Sequence, residues 1–321
     1  MIKIKHIEAL SFIFYLLLVL LELKEFSIWS QITDLLTEND IESNIVTLGT
    51  LVVTEHPHTL RVFLIFPIYT LAEFLSLDVK IVFSVVVLAI LFSTYYMLLF
   101  IIKDYVSRKK AFLILVFLIS ISFFMNGRIM FSIFGNTLLL YLLYINFYTV
   151  IKMNIFKKVF LYIIALWCVS VSSGTFMVFL LSVALFYSFH FLVKLPYLKK
   201  KIMWAFLAFL LLLVLIYPLT EIFIDKNLTY YDGSIINMLS HGIGKYLIKY
   251  ITVLIPVFVL VALVSPIIVL YLKKHKILIL PFSMMLASVS VGLFGLSSLV
   301  SGIPAYILFI YMFFNRKQIG V

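Results

Sequence analysis

Six clusters of lysine and arginine divide this chain, and each interval between consecutive clusters is an apolar run long enough to cross a bilayer and return. The clusters are Lys3/Lys5, Lys103/Arg108/Lys109/Lys110, Lys152/Lys157/Lys158, Lys194/Lys199/Lys200/Lys201, Lys273/Lys274/Lys276 and Arg316/Lys317. Short basic loops stay on the cytoplasmic side, so each interval has to leave the cytoplasm, turn outside and come back. Five such hairpins, roughly 7–102, 111–151, 159–193, 202–272 and 277–314, predict an all-α polytopic membrane protein of about ten transmembrane helices with both termini cytoplasmic. The third interval shows the constraint. As one helix, 159–193 would be ~50 Å long at ~1.5 Å per residue, against a hydrocarbon layer of ~30 Å, so it folds back. The break available there is Ser172-Ser173-Gly174; Asn126-Gly127-Arg128 breaks the second interval, and 292–302, with Ser297, Ser298 and Ser301, breaks the fifth.

Composition agrees. With 64% hydrophobic and 12% charged residues the chain has too little polar surface for a soluble globule. A net charge of +11 would point to nucleic acid in a soluble protein, but most of the 25 basic residues sit in the clusters, so the charge reads as topological. Membrane lipids, and no nucleic acid, are the expected surroundings. The first span resembles a signal peptide, yet no small-x-small site follows Leu23, and it is read as a retained anchor. Cys168 is the single cysteine and forms no intrachain disulfide. Richness in Ile, Leu, Phe, Tyr and Lys with little Ala or Gly is associated with AT-rich bacterial genomes. Residues 1–321 read as one transmembrane domain without repeats or a soluble module.

Two outer connections exceed a simple turn. Segment 25–78 carries Glu25, Asp34, Glu38, Asp40, Glu42, Glu55 and Glu73. Within it, 26–36 has Ile28, Trp29, Ile32, Leu35 and Leu36 at helical spacing, which suits an interfacial helix. The piece 62–77 is apolar but holds Pro67 and Glu73, and a full span there would put Lys103–Lys110 outside; it is read as re-entrant or interfacial. The second long connection is 225–245. Long loops with structure of their own tend to carry function.

Only four arginines occur, and Arg108 and Arg316 fall in inner clusters. Arg61 and Arg128 fall outside, where the charge rule does not account for them. The guanidinium fork matches phosphate or carboxylate, so both are candidate substrate-binding residues. The plainer alternative pairs Arg61 with Glu55 or Glu73 and lets Arg128 snorkel to headgroups. Glu55-His56-Pro57-His58 precedes Arg61; a general acid or base among Glu55, His56 and His58 fits better than a metal site, because this spacing across a proline matches no standard zinc pattern. His241 and Lys245 flank Gly242 and Gly244, which permit close backbone approach to a ligand. Asp34 and Asp40 are carboxylates of a loop over the mouth. For each the bland alternative is an ordinary polar loop. The pair Tyr230/Tyr231 suits an interfacial belt as well as sugar stacking.

Absences narrow the classes. There is no phosphate-binding Gly-rich loop followed by Lys-Ser/Thr, no His-Glu-x-x-His helix and no Gly-x-Ser-x-Gly elbow. Charges within spans read as few, Glu221 near an outer end and His190 near an inner one, whereas a proton-coupled transporter usually carries a midplane carboxylate.

The layout of a long first outer loop ending in Glu55-His56-Pro57, an apolar segment, a basic inner loop and then Asn126-Gly127-Arg128-Ile129 resembles bacterial polysaccharide repeat-unit polymerases of the Wzy type, particularly their EpsG-like members. The resemblance covers about 25–190. It places Glu55 and Pro57 on the family's Glu-Pro element, Arg128 on its Ile-Arg element, and Ser172-Ser173-Gly174-Thr175 where a Phe-His-Ser turn is common. His56 interrupts the first element, Arg128 precedes its isoleucine, and the turn has no histidine. A weaker similarity is to GT-C membrane glycosyltransferases, with Asp34 or Asp40 as catalytic acid or base and His56-Pro57 closing the loop. Both imply sugar transfer outside the membrane from a polyprenyl-linked donor, without nucleotide or other cofactor and with other polysaccharide-assembly proteins as partners. Arg61 and Arg128 would then hold the pyrophosphate, and Glu55 or His56 would take the acceptor proton. An oligosaccharide or lipid transporter and a membrane interaction or immunity protein are the alternatives.

Overall fold

In the computed structural model the described residues are 2–21, 59–124, 127–194, 268, 270–292 and 295–314. Every element among them is helical: α1 (Ile2–Leu20), α2 (Thr59–Phe74), α3 (Val79–Ile102), α4 (Arg108–Phe124), α5 (Gly127–Tyr148), α6 (Ile155–Val169), α7 (Ser173–Lys194), a 3-10 turn (Lys276–Leu278), α8 (Ile279–Gly292), α9 (Leu296–Ser301) and α10 (Ile303–Phe314). Among the described residues three segments are long and apolar enough to cross a membrane: Val79–Ile102, Ile129–Tyr148 and Gly174–Val193. In hydrocarbon a backbone must satisfy its own polar groups, which is why apolar runs of this length become helices. Their hydroxyls follow the same rule. Ser84, Thr137 and Ser182, like Ser283 of α8, donate to the carbonyl one turn back.

The ends of the helices are set locally. α3 starts where the Asp78 carboxylate accepts from the N–H of Lys80 at 2.7 Å, and α6 where Asn154 Oδ1 accepts from the N–H of Phe156 at 2.9 Å. α2 ends in a Schellman closure: the N–H of Leu77 reaches the Ala72 carbonyl at 2.9 Å and that of Ser76 reaches Glu73 at 3.0 Å. Ser76 occupies the left-handed position, at φ 52°, where glycine is the usual residue. With 16 residues, α2 reaches ~24 Å, short of the ~30 Å layer, and carries Pro67 inside it. The interfacial helix expected at 26–36 and the loop 225–245 lie outside the described residues.

The chain forms two compact units, Met1–Leu138 with Val159–Val171, and Leu139–Lys158 with Ser172–Val321. In the first, α1 lies antiparallel to α3: Glu8 meets Tyr95 and Tyr96, and one turn on Phe12 meets Phe92 with ring centres 5.8 Å apart. Tyr15 then packs on Phe123, at the far end of α4, at 5.4 Å. Gly127 begins α5 against Phe83 and Val87, near the start of α3. The backbone of 3–5 and of 103–110 therefore lies at one end of this unit and that of 127–128 at the other.

In the second unit α7 and α8 are antiparallel neighbours, with Phe189 on Phe282 at 5.6 Å. α10 returns along α8, pairing Phe282 with Phe309 at 6.4 Å and Ser288 with Tyr306 at 2.9 Å. Tyr271 meets Phe313 at 5.6 Å, and the Tyr148 hydroxyl donates to the Lys276 carbonyl at 2.8 Å. One end gathers the ends of α5 and α10 with residues 270–278; the other gathers the breaks expected from sequence, around 172–175 and 292–302. The break after α8 is filled by α9, a helix of 6 residues that the sequence reading treats as a turn.

Candidate functional site

Arg128 is the second residue of α5, directly after the glycine that seats this helix on α3. A Cβ on Gly127 would lie 2.5 Å from Phe83 Cε1, so the first turn of α5 approaches the Phe83 ring as only glycine allows. Phe83 also packs on Phe131 at 5.7 Å, which holds the turn from its inner side. A helix N-terminus presents unsatisfied N–H groups and a partial positive charge; it disfavours a cation unless an anion is shared. First-turn cations also open α4 and α6, but there they belong to lysine clusters. At the opposite end of the unit Arg128 has one other first-turn cation among the described residues, Lys80 of α3, which follows the capping Asp78.

Below Arg128 the helix repeat places Ser132 and Asn136 on the same face, at i+4 and i+8. Ser132 is 1% exposed and Asn136 is fully buried. An amide at that depth, ~13 Å along the axis from Gly127, is costly unless hydrogen-bonded. The neighbouring Gly135 brings α5 into backbone contact with α6: its Cβ would meet the Ala165 carbonyl and Val169 Cγ1, both at 2.7 Å. A polar line thus runs from the Arg128 position into the buried part of α5. Asn136, an amide inside an apolar run one residue after Gly135, is the sequence signal that extends the line beyond Arg128.

In the second unit, at the end away from 270–278, the turn 172–175, singled out by the resemblance, is a packing seam. The space that a side chain on Gly174 would fill is taken by Ser298 Oγ of α9, and Ser288 fills the same place beside Gly302. The seam's other hydroxyls bond locally: Thr175 to the Ser172 carbonyl at 2.9 Å, and Ser301 to that of Ser298 at 2.7 Å. Ser298 is 1% exposed and its Oγ has no hydrogen-bond partner. Small residues here let helices approach closely, and nothing in the seam carries charge.

One carboxylate escaped the sequence reading. Glu8, in α1, accepts from the hydroxyl of Tyr96 at 2.6 Å and from that of Tyr95 at 3.3 Å. Its signal was a single acid inside an apolar anchor. Adjacent residues on a helix point about 100° apart, so the two phenols reach one carboxylate only because α1 lies over the crevice between them.

The other expected site residues divide simply. Asp34, Asp40, Glu55, His56, His58, His241 and Lys245 lie outside the described residues. Arg61 lies in the first turn of α2; its side chain, like that of Arg128, is outside the described set. Among the described residues no group of three or more His, Cys, Asp or Glu is placed to hold a metal ion. No protein-family model, curated protein or solved structure matches the chain.

Proposed function

We propose that this chain is a glycosyl-transfer enzyme of surface-polysaccharide assembly in a bacterial inner membrane, joining polyprenyl-pyrophosphate-linked repeat units on the outer face. The observation that carries the reading is Arg128 in the first turn of α5, at the end of its unit remote from 3–5 and 103–110. An arginine in the first turn of a helix suits a diphosphate leaving group, since a guanidinium and a helix N-terminus each stabilise negative charge as it develops. Ser132 and Asn136 continue a polar face from the Arg128 position into the packed part of α5. Arg61 would share the diphosphate, and Glu55 or His56 would take the acceptor proton.

The frame of this proposal is about ten spans in five outward hairpins, with both termini in the cytoplasm. It draws support from how helix ends sort within each unit. Antiparallel α1 and α3 bring the first two basic clusters to one end, and the Tyr148–Lys276 bond does the same for the third and fifth.

The test is polymer length in cells lacking the native gene and carrying variants. Arg128→Ala and Arg128→Lys are both expected to abolish long chains, because lysine keeps charge but loses the planar fork. Long chains from Arg128→Lys would remove this residue from the site. Unchanged surface sugar after deletion of the gene would sink the polysaccharide reading and favour a transporter or interaction protein.

A further inference from the structure

We infer that the end of the second unit where α5 stops and α8 starts is a binding surface for anionic phospholipid headgroups. The residue that organises it is Tyr148, the last of α5, whose hydroxyl donates to the Lys276 carbonyl at 2.8 Å. That bond joins two segments far apart in sequence. One is the connection 149–154 with the first turn of α6, which carries Lys152, Lys157 and Lys158; the other is the stretch 273–276, which carries Lys273, Lys274 and Lys276. All of these lysines are exposed except Lys158, which is half-buried. Tyr148 stacks on Tyr144 at 6.2 Å, so α5 itself fixes where its hydroxyl points.

Two properties of this surface select the partner. The described residues of the unit contain no Asp or Glu, so the counter-charge for these lysines comes from outside the described chain. Between and beside the lysines are apolar residues open to the surroundings: Val150 is 98% exposed, Phe156 82%, Ile155 69% and Ile151 51%. Free phosphate would neutralise the lysines and leave those side chains in water. A phospholipid satisfies both, with its phosphate on the lysines and its glycerol and acyl boundary on Val150, Ile151, Ile155 and Phe156. Orientation by positive charge requires only that lysines be present near the membrane. It does not require that two clusters be tied by a tyrosine, and that difference makes the inference testable apart from topology and apart from the sugar-transfer reading.

The experiment measures the thermal unfolding midpoint of the full chain in neutral detergent with phosphatidylglycerol, phosphatidylcholine or inorganic phosphate added. Phosphatidylglycerol is expected to raise the midpoint by several degrees and the other two to leave it within error. The combined variant Lys152→Gln/Lys273→Gln/Lys274→Gln/Lys276→Gln should lose most of that rise, whereas Lys109→Gln/Lys110→Gln, in the other unit, should keep it. Tyr148→Phe leaves every lysine in place and should cut the rise by at least half relative to its own baseline, so the test holds even if the combined variant does not fold. An equal rise with phosphatidylcholine or with phosphate would overturn the inference, as would an equal loss from the Lys109/Lys110 variant or an undiminished rise in Tyr148→Phe.

Discussion

The hydroxyl of Tyr96 donates to the carboxylate of Glu8 across 2.6 Å, joining two helices whose partners stand 88 positions apart in sequence. A hydrogen bond to a charged acceptor in a medium poorer than water in competing donors is worth more than a neutral one, about 1.5–3 kcal/mol. Tyr95 bonds the same carboxylate at 3.3 Å and is 1% exposed, so its ring is held by packing as much as by its hydroxyl.

Glu8→Ala is therefore expected to lower the stability of the detergent-solubilised protein by about 1–3 kcal/mol. Tyr96→Phe should cost more than Tyr95→Phe because its bond is the shorter. A double-mutant cycle of Glu8→Gln with Tyr96→Phe should give a coupling of about 1 kcal/mol. Additive single effects would mean that apolar contacts such as Phe12–Phe92 hold α1 on their own.

Gly174→Ala should destabilise by about 1–3 kcal/mol, since its new methyl and Ser298 Oγ claim the same space. Ser298→Ala alone should be neutral or stabilising, because it removes a buried hydroxyl without a partner. In the double variant the two Cβ atoms stand 3.6 Å apart, an ordinary contact, so stability should return close to wild type. Thermal unfolding of the four proteins decides the matter, and a double variant as unstable as Gly174→Ala would show that the seam is not where the cost arises.

Ser76→Gly should stabilise the α2–α3 connection by about 1 kcal/mol, because φ 52° suits glycine and strains any residue with a Cβ. Ser76→Ala keeps the Cβ and should not gain. A gain from both would attribute the effect to the lost hydroxyl instead of the backbone.

Topology is checked by thiol labelling on a Cys168→Ala background, Cys168 being free and buried. Cysteines at Lys109, Lys157, Lys200 and Lys274 should resist an impermeant reagent in intact cells, and cysteines at Asp40 and Asp232 should react. Labelling at 109 and 200 from outside would collapse the five-hairpin frame.

The helices and their breaks follow from the sequence because both depend on local composition. An apolar run in hydrocarbon has to close its own hydrogen bonds, and Ser172-Ser173-Gly174 or Gly292 stops it where small polar residues weaken that closure. The break between α6 and α7 falls at 170–172 and meets the expected Ser172-Ser173-Gly174 only at Ser172, because Ser173 and Gly174 already open α7. Arg128 stood out for a similar reason, as a charge without a cluster. What sequence could not supply is which helix faces meet. Glu8 finds Tyr95 and Tyr96, Ser298 enters the space beside Gly174, and Tyr148 reaches Lys276 only once the helices have docked. Those matches depend on rotation about each axis and on side-chain volumes at crossing points, and neither is encoded by residues near in sequence. Ser132 and Asn136 could be put on the face of Arg128 by helical repeat alone. That this face is buried was decided by tertiary packing, because Gly135 lets α6 come into backbone contact beside it.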